Sequence, residues 1–176
     1  MKKLQLMFLA GNQAFASVKS ERRSVIAPGY TAQIQRTIHN VAHITAKNMA
    51  SAWFGQGYAM AEDRICTLMD QVIKVCGQRA RFFGASHIDS DFGYRHLGLV
   101  SKAQSDFQTL SPEIQEMLTA HAAGINAYVS TVGLNGLPTL CRNAIWIVEI
   151  TAIDLLAHSN DFAVLNSSSK YTKSNG

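Results

Sequence analysis

Three cysteines, Cys66, Cys76 and Cys141, are the residues best suited to chemistry of their own. A thiolate can act as a nucleophile or bind a metal, and two thiols can form a disulfide. These three form no C-x-x-C pair and lack the spacing of zinc ligands. In an exported chain, one disulfide and one leftover thiol are the simplest arrangement, whereas in the cytosol all three are expected to be small buried side chains. A thiol enzyme using Cys66 or Cys76 remains open as a function.

Two histidines, His39 and His43, have the H-x-x-x-H spacing that binds zinc when it lies on a helix. Their surroundings are typical of a β-strand, in which four residues span roughly 13 Å. That distance is too long for one metal ion, so we predict no metal site there. The sequence contains no G-x-S-x-G motif and no phosphate-binding loop, and Gly55-Gln56-Gly57 is not a nucleotide motif.

Composition and charge limit the classes of function. The 176 residues are 47% hydrophobic and 16% charged, which is ordinary for a globular domain with its own core. Six of the sixteen basic residues lie within residues 1–36, so the rest of the chain is close to neutral. A protein that reads nucleic acid needs a basic face on its folded body, and we therefore predict no nucleic-acid partner.

The N-terminal segment 1–16 has the pattern of a signal peptide. Lys2 and Lys3 precede a short apolar run, and Ala14-Phe15-Ala16 has the A-x-A form of a cleavage site. We therefore predict a periplasmic or secreted protein. No stretch of the sequence is apolar for long enough to predict a membrane span.

The elements that must position these residues are short strands followed by helices. Residues 24–46 are rich in β-branched side chains and interrupted by Pro28-Gly29, which predicts two or three strands. From about Asn48 the apolar period becomes helical and continues to Gly77. The segment 84–107, with scattered Gly, Ser and Asp, is predicted to be rich in loops.

Two further helices have clear start signals. Ser111 and Pro112 provide an N-cap and a first-turn proline, and this helix is predicted to end at Gly133. Thr151 and Asp154 have the spacing of a capping box, and the third helix is predicted to run to about Leu165. The polar residues 167–176 are predicted to form a disordered tail, which leaves 17–166 as the folded region.

Within the first helix, the stretch GQGYAMAEDRIC (residues 55–66) is unexpected. Glycine costs a helix interior up to about 1 kcal/mol relative to alanine, and the run Glu62-Asp63-Arg64 turns at least one charge toward the apolar face. Helix propensity alone therefore does not explain these residues.

Five blocks in order carry a family resemblance. They are HNVAHITAKNMASAWFGQGYAMAEDRICTLMDQVIKVCGQRARFFG, SDFGYRHLGL, AAGINAYV, LPTLCRNAIW and ITAIDLLA. Together they resemble the α-subunit of the penicillin acylase family from about Gln33 to Ser169, and most of all its acyl-homoserine-lactone and aculeacin acylase branch. The resemblance implies a mainly α fold with a short N-terminal β segment, as the α-subunit portion of an αββα N-terminal-nucleophile hydrolase.

The resemblance implies a hydrolase of amide bonds in N-acyl compounds, such as acyl-homoserine lactones or penicillins. In such enzymes the N-terminal serine of a β-subunit is the nucleophile and its own α-amine is the base, so the β-subunit is the implied partner. Ser174, followed by Asn175-Gly176, resembles the start of a β-subunit and is the candidate catalytic residue. No substrate-binding residue is predicted, and the calcium ligand of some family members has no counterpart here, so no cofactor is predicted.

The resemblance also implies further structural features. Cys66 and Cys141 lie in blocks that relatives place close together, so we expect them to form a disulfide and leave Cys76 free. The small residues of GQGYA are expected to allow close helix packing, with the charges of Glu62-Asp63-Arg64 paired in the other subunit.

Departures from the family pattern, such as Ala42 for proline and Cys76 for arginine, favour a truncated member that is inactive without a β-subunit. In that case the apolar faces of the first two predicted helices, which contain Ile65, Ile114 and Ile125, are not expected to be fully covered by this chain. A non-catalytic exported binding module is the alternative.

Overall fold

The computed structural model describes residues 22–172, with side chains for residues 22–167. The chain begins with three strands, β1 (Arg22–Ala27), β2 (Tyr30–Arg36) and β3 (Ala42–Ala46). Six α-helices follow, with a 3₁₀ turn at Ala85–His87 between the second and third: α1 (Met49–Val75), α2 (Arg79–Phe83), α3 (Ile88–Leu97), α4 (Leu99–Phe107), α5 (Pro112–Gly136) and α6 (Ala152–Thr172). The fold is therefore mainly helical with a short N-terminal β segment, as predicted.

The strands form one antiparallel sheet in the order β1-β2-β3. Pro28 and Gly29 make the first turn, where Gly29 has a φ of 85°, a conformation that glycine adopts without strain. Alternate residues face α1, and on that face Val25, Ala32 and Ile34 are buried. The opposite face is polar except for the exposed Ile26, as expected of an antiparallel sheet with one solvated side.

Helix α1 begins where the sequence predicts, because the Asn48 side chain accepts a hydrogen bond from the Ser51 backbone N–H at 2.8 Å. Its apolar stripe is buried along almost its full length, including Phe54, Ile65 and Met69. One feature was not predicted: Arg64 has φ −145° and ψ 23°, so the helix is kinked directly after Glu62 and Asp63.

Close packing explains both glycines of the GQGYA stretch, since Gly55 lies against Ala32 and Ile44 of the sheet and Gly57 lies where α1 crosses α5. A Cβ atom on Gly57 would lie 2.1 Å from the carbonyl oxygen of His121, and one on Gly124 would lie 2.0 Å from that of Phe54. Both distances are far inside van der Waals contact, so each helix lies with its backbone against the other. The prediction of close helix packing is confirmed, and the packing lies within this chain.

The segment predicted to be rich in loops contains helices α3 and α4 and the preceding 3₁₀ turn, so that prediction is wrong. Its short polar residues act at helix ends instead. The Asp91 carboxylate accepts hydrogen bonds from the backbone N–H groups of Arg79 and Ala80 at 2.9 and 2.7 Å, and so caps the start of α2. Gly98, with a φ of 64°, separates α3 from α4.

The start signals of the last two helices are confirmed. The Ser111 hydroxyl caps α5, and Thr151 and Asp154 exchange the hydrogen bonds of a capping box at the start of α6. Helix α5 is interrupted at Gly133, the predicted end, and continues to Gly136. Helix α6 continues to Thr172, so 167–172 is helical where a disordered tail was predicted. The predicted signal peptide 1–16 and Ser174 lie outside the described residues.

Most of the core lies between the sheet, α1 and α5, and a smaller cluster lies between the end of α1, α4 and α6. The stripes that were expected to remain partly uncovered are largely covered, since Ile65, Leu68, Val72 and Ile125 are all buried. Ile114 is the exception, with 43% of its surface exposed. None of the described helices is both long enough and apolar enough to cross a membrane.

Candidate functional site

The charged residues that follow the glycines of α1 have their partners in this chain. Arg36 on β2 donates to Glu62 at 2.7 Å and lies 2.9 Å from Asp63, and Arg23 on β1 also pairs with Glu62. Burial alone would raise the pKa of Glu62, but the hydrogen bonds and charges of the two arginines outweigh it and lower that pKa. The prediction of partners in another subunit is therefore wrong for Glu62 and Asp63.

Two tyrosines extend this charged cluster into the core. The guanidinium of Arg23 lies over the ring of Tyr58, 5.3 Å from its centroid, and Tyr58 meets Tyr128 edge to face at 5.6 Å. Burial, followed by the negative charge of Glu62, raises the pKa of Tyr128. Each charge in the cluster is matched, so the arrangement holds the sheet against α1 and leaves no free acid or base for catalysis.

The cysteines are arranged for structure. Cys66 on α1 is bonded to Cys141, with Cα atoms 5.4 Å apart, so the segment 137–150 is tied to α1. Cys76 is the free cysteine, half-buried, with its Sγ 3.8 Å from the Asp154 carboxylate. Burial and that negative charge raise the pKa of the Cys76 thiol to about 11. Neither Cys66 nor Cys76 is therefore a ready nucleophile near neutral pH, which counts against the thiol enzyme.

The other predicted residues do not come together. His39 lies in the turn between β2 and β3, and His43 is exposed on β3. Within residues 22–172 no group of three or more His, Cys, Asp or Glu side chains could hold a metal ion.

A buried histidine on α5 that the sequence analysis did not single out is distinctive in the structure. His121 is 6% exposed and its ring lies 5.7 Å from that of Trp53, and among the described residues its Nδ1 has no hydrogen-bond partner. Burial lowers the pKa of His121 to about 4, so it is neutral at neutral pH. No signal in the sequence separates it from an ordinary core residue.

An open groove of roughly 740 Å³ lies between the β1–β2 turn, α5 and the start of α6. Small side chains of α5 form its floor, including Ala123, Ala127 and Ser130, and Ile26 lies at its rim with 71% exposure. Asn126 is held by two hydrogen bonds to the backbone of Ile150, at 2.8 and 3.0 Å. The groove can therefore accept an apolar group, and it contains no pair of groups suited to general acid and base catalysis.

Large apolar side chains remain uncovered elsewhere on the described surface. On the segment tied down by the disulfide, Leu140 and Ile145 are 80% and 81% exposed. Others lie on α3 and α6, namely Ile88, Phe92, Leu97, Phe162 and Leu165. Surface of this kind is typical of a region that contacts another protein.

The architecture matches a solved structure of an acylase. The described fold aligns with a thermostable penicillin G acylase from Alcaligenes faecalis with a TM-score of 0.66 and 22% sequence identity, over 72% of this chain and 69% of that one. The sheet and helices described above therefore share their fold with the corresponding part of that acylase.

Sequence comparison gives the family. The penicillin amidase family model matches residues 31–173, and the chain belongs to this family. It is 32% identical over 133 residues to an acyl-homoserine lactone acylase from Pseudomonas fluorescens, covering 71% of this chain and 17% of that protein. It is 30% identical over 149 residues to aculeacin-A acylase from Actinoplanes utahensis, covering 77% and 19%. The chain thus spans about a fifth of the length of these relatives.

Proposed function

We propose that this chain is the α-subunit-like region of an exported amidohydrolase that cleaves the amide bond of N-acyl compounds, with acyl-homoserine lactones as the first class to test. The observation that carries the proposal is the family match over residues 31–173, together with relatives that are themselves acylases. The Cys66–Cys141 disulfide supports export, because such bonds persist in oxidising compartments.

In the proposed enzyme the β-subunit supplies the catalytic groups and this chain supplies structural support. A β-subunit supplies an N-terminal serine whose hydroxyl attacks the amide carbonyl, while its α-amine, with a pKa near 8, takes the proton. This chain supplies a rigid helical frame and apolar surface against which the β-subunit and the acyl group can pack. The matched charges around Glu62 and the high pKa of Cys76 are consistent with a structural role for this chain rather than a catalytic one.

Ser174 remains the predicted remnant of a nucleophile motif. While its nitrogen is in a peptide bond it has no amine to act as base. We therefore propose that the chain alone is inactive and that activity requires a β-subunit.

The test is an assay of amine release from an acyl-homoserine lactone, by the purified chain alone and with a β-subunit taken from the Pseudomonas fluorescens acylase. Turnover is expected only when the β-subunit is present, and replacing that subunit's N-terminal serine with alanine should abolish it. Turnover by the lone chain that survives Ser174→Ala would contradict the proposal.

A non-catalytic exported binding module is the second candidate, and the open groove beside α5 is the observation that favours it. A lone chain that shows no turnover, but whose unfolding temperature rises when an acylated compound is added, would support this candidate.

A further inference from the structure

One face of α6 lies across the end of α1. Asp154, His158 and Asp161 are four and three residues apart, so their side chains share one face of the helix. At one end of this face the Asp154 carboxylate accepts a hydrogen bond from the Cys76 thiol, with sulfur and oxygen 3.8 Å apart. At the other end Asp161 pairs with Lys74 of α1 at 2.8 Å. His158 therefore lies between two contacts with the end of α1.

The pair formed by Lys74 and Asp161 is the most deeply buried of the described ion pairs, with Asp161 only 3% exposed. The Lys74 ammonium also lies 5.1 Å from the centroid of the Tyr94 ring on α3. Burial alone would lower the pKa of Lys74, but hydrogen bonds and charges, above all those of Asp161, raise it. Asp161 is the last buried residue of α6 whose side chain is described, so this pair is a main attachment of the outer part of the helix.

His158 is poorly placed to carry a charge. Its buried Nδ1 has no hydrogen-bond partner among the described residues, and its ring lies 4.8 Å from that of Phe162. Burial lowers the pKa of His158; Asp161 opposes this effect and Lys74 adds to it, and the result is a pKa below the ordinary 6.5. His158 is therefore neutral at neutral pH.

The remaining neighbours of α6 bring no further charge to His158. On α4, Leu99 and Ala103 pack with α6 in one cluster, while Lys102 and Asp106 pair with each other at the surface. Helix α5 lies beside the first turn of α6 with small, uncharged side chains. The titratable groups that face His158 are therefore those already named on α6, α1 and α3.

We propose that α6 is a pH-sensitive switch: its outer part, residues 158–172, lies on the end of α1 while His158 is neutral, and protonation of His158 in mild acid releases it. In the released form His158 is in water and binds a proton below about pH 6.5, whereas in the bound form it binds that proton less readily. The released form is therefore favoured as the pH falls below 6.5, by up to about tenfold per pH unit. Release would uncover part of the apolar cluster around Val75 and Leu99. The switch needs no partner chain, since its groups lie on α1, α3 and α6.

The experiment measures amide hydrogen exchange in the full chain at pH 7.0 and pH 5.5. The rates are converted to protection factors, which removes the effect of pH on exchange in an unstructured peptide. Residues 158–166 should be less protected than the end of α1 at both pH values, because they open locally. Their protection should fall by about fivefold or more between pH 7.0 and pH 5.5.

A pair of variants isolates the histidine. His158→Gln keeps a polar side chain that does not titrate, and its protection in 158–166 should be the same at both pH values within about twofold. His96→Gln makes the same change at an exposed position on α3 and should behave as the wild type.

A third variant tests the role of the ion pair. Lys74→Met leaves Asp161 buried without its partner, so protection of 158–166 at pH 7.0 should fall by about tenfold or more. The further fall at pH 5.5 should then become smaller, because protonated His158 can pair with the free Asp161.

The unmodified chain gives an independent measurement by NMR. The His158 ring resonances, assigned through their contacts with the Phe162 ring, should titrate with a pKa below 6.5.

Several results would overturn the inference. Titration of His158 at pH 6.5 or above would remove the reason for release. A fall in protection that persists in His158→Gln would assign the pH dependence to another group. Equal protection of 158–166 and the end of α1 would show that α6 opens only when the whole chain unfolds.

Discussion

Replacing Gly57 with alanine tests the contact between α1 and α5. The new Cβ atom would lie 2.1 Å from the carbonyl oxygen of His121, and this oxygen belongs to the backbone, so no side chain can rotate away. An ordinary contact of this kind is about 3.4 Å, so the helices would have to separate by about 1 Å. Overpacking typically costs about 1–3 kcal/mol, and we expect about 3 kcal/mol here because a backbone must move.

The control is the same substitution at Gly93, in the interior of α3. A Cβ atom there meets no heavy atom within 4 Å, so only the higher helix propensity of alanine remains. Gly93→Ala should therefore raise the free energy of unfolding by up to about 1 kcal/mol. Gly55→Ala should be intermediate, since the overlap is smaller: its Cβ would lie 2.7 Å from the Cβ of Ala32, which is fixed to β2, and 2.8 Å from a methyl group of Ile44, which can rotate.

Urea unfolding followed by far-ultraviolet circular dichroism measures all three variants, with the slope of the transition checked for constancy. The expected order of stability is Gly93→Ala, wild type, Gly55→Ala, Gly57→Ala. A Gly57→Ala variant that loses less than about 1 kcal/mol, or that matches Gly93→Ala, would refute the close backbone contact.

Three further predictions follow from the cysteines and the buried histidine. Denatured, non-reduced protein should contain one reactive thiol, and three reactive thiols would contradict the disulfide. Replacing both Cys66 and Cys141 with alanine should lower the free energy of unfolding by about 4 kcal/mol by the loop-entropy model. Burial lowers the pKa of His121 from 6.5 to about 4, so the folded chain binds the proton less readily than the unfolded chain. The free energy of unfolding should therefore fall by about 3 kcal/mol as the pH drops from 6.5 to 4. A His121→Leu variant whose stability changes with pH as steeply as that of the wild type would disprove this. Cys76, with a pKa of about 11, should react with iodoacetamide at pH 8 more slowly in the folded chain than in urea, and equal rates would contradict its burial.

Local signals made the long helices predictable. The caps at Asn48, Ser111 and Thr151 depend on side chains within three residues of the groups that they bind, so the sequence alone identifies them. The strands were predictable from β-branched residues and from the turn at Pro28-Gly29. The pairing of Cys66 with Cys141 could be expected only from the family resemblance, because three cysteines allow more than one pairing.

Features that depend on tertiary contacts were missed. Scattered Gly, Ser and Asp suggested loops in 84–107, but Asp91 caps α2 across eleven to twelve residues, and this contact exists only in the folded chain. The backbone contact at Gly57 and the missing partner of His121 Nδ1 likewise depend on how α1 and α5 cross.

The distribution of charge and apolar surface indicates whether this chain needs a partner to fold and which surface a partner would bind. If the partners of Glu62 and Asp63 lay in another subunit, the lone chain would contain partly buried, unpaired carboxylates, and folding would have to wait for assembly. Instead Arg23 and Arg36 supply the partners from the sheet, so the core forms without help. Large apolar side chains remain exposed on the segment that contains Leu140 and Ile145, and on α3 and α6. An interface built on such surface is stabilised mainly by burial of area, so its affinity should depend little on ionic strength.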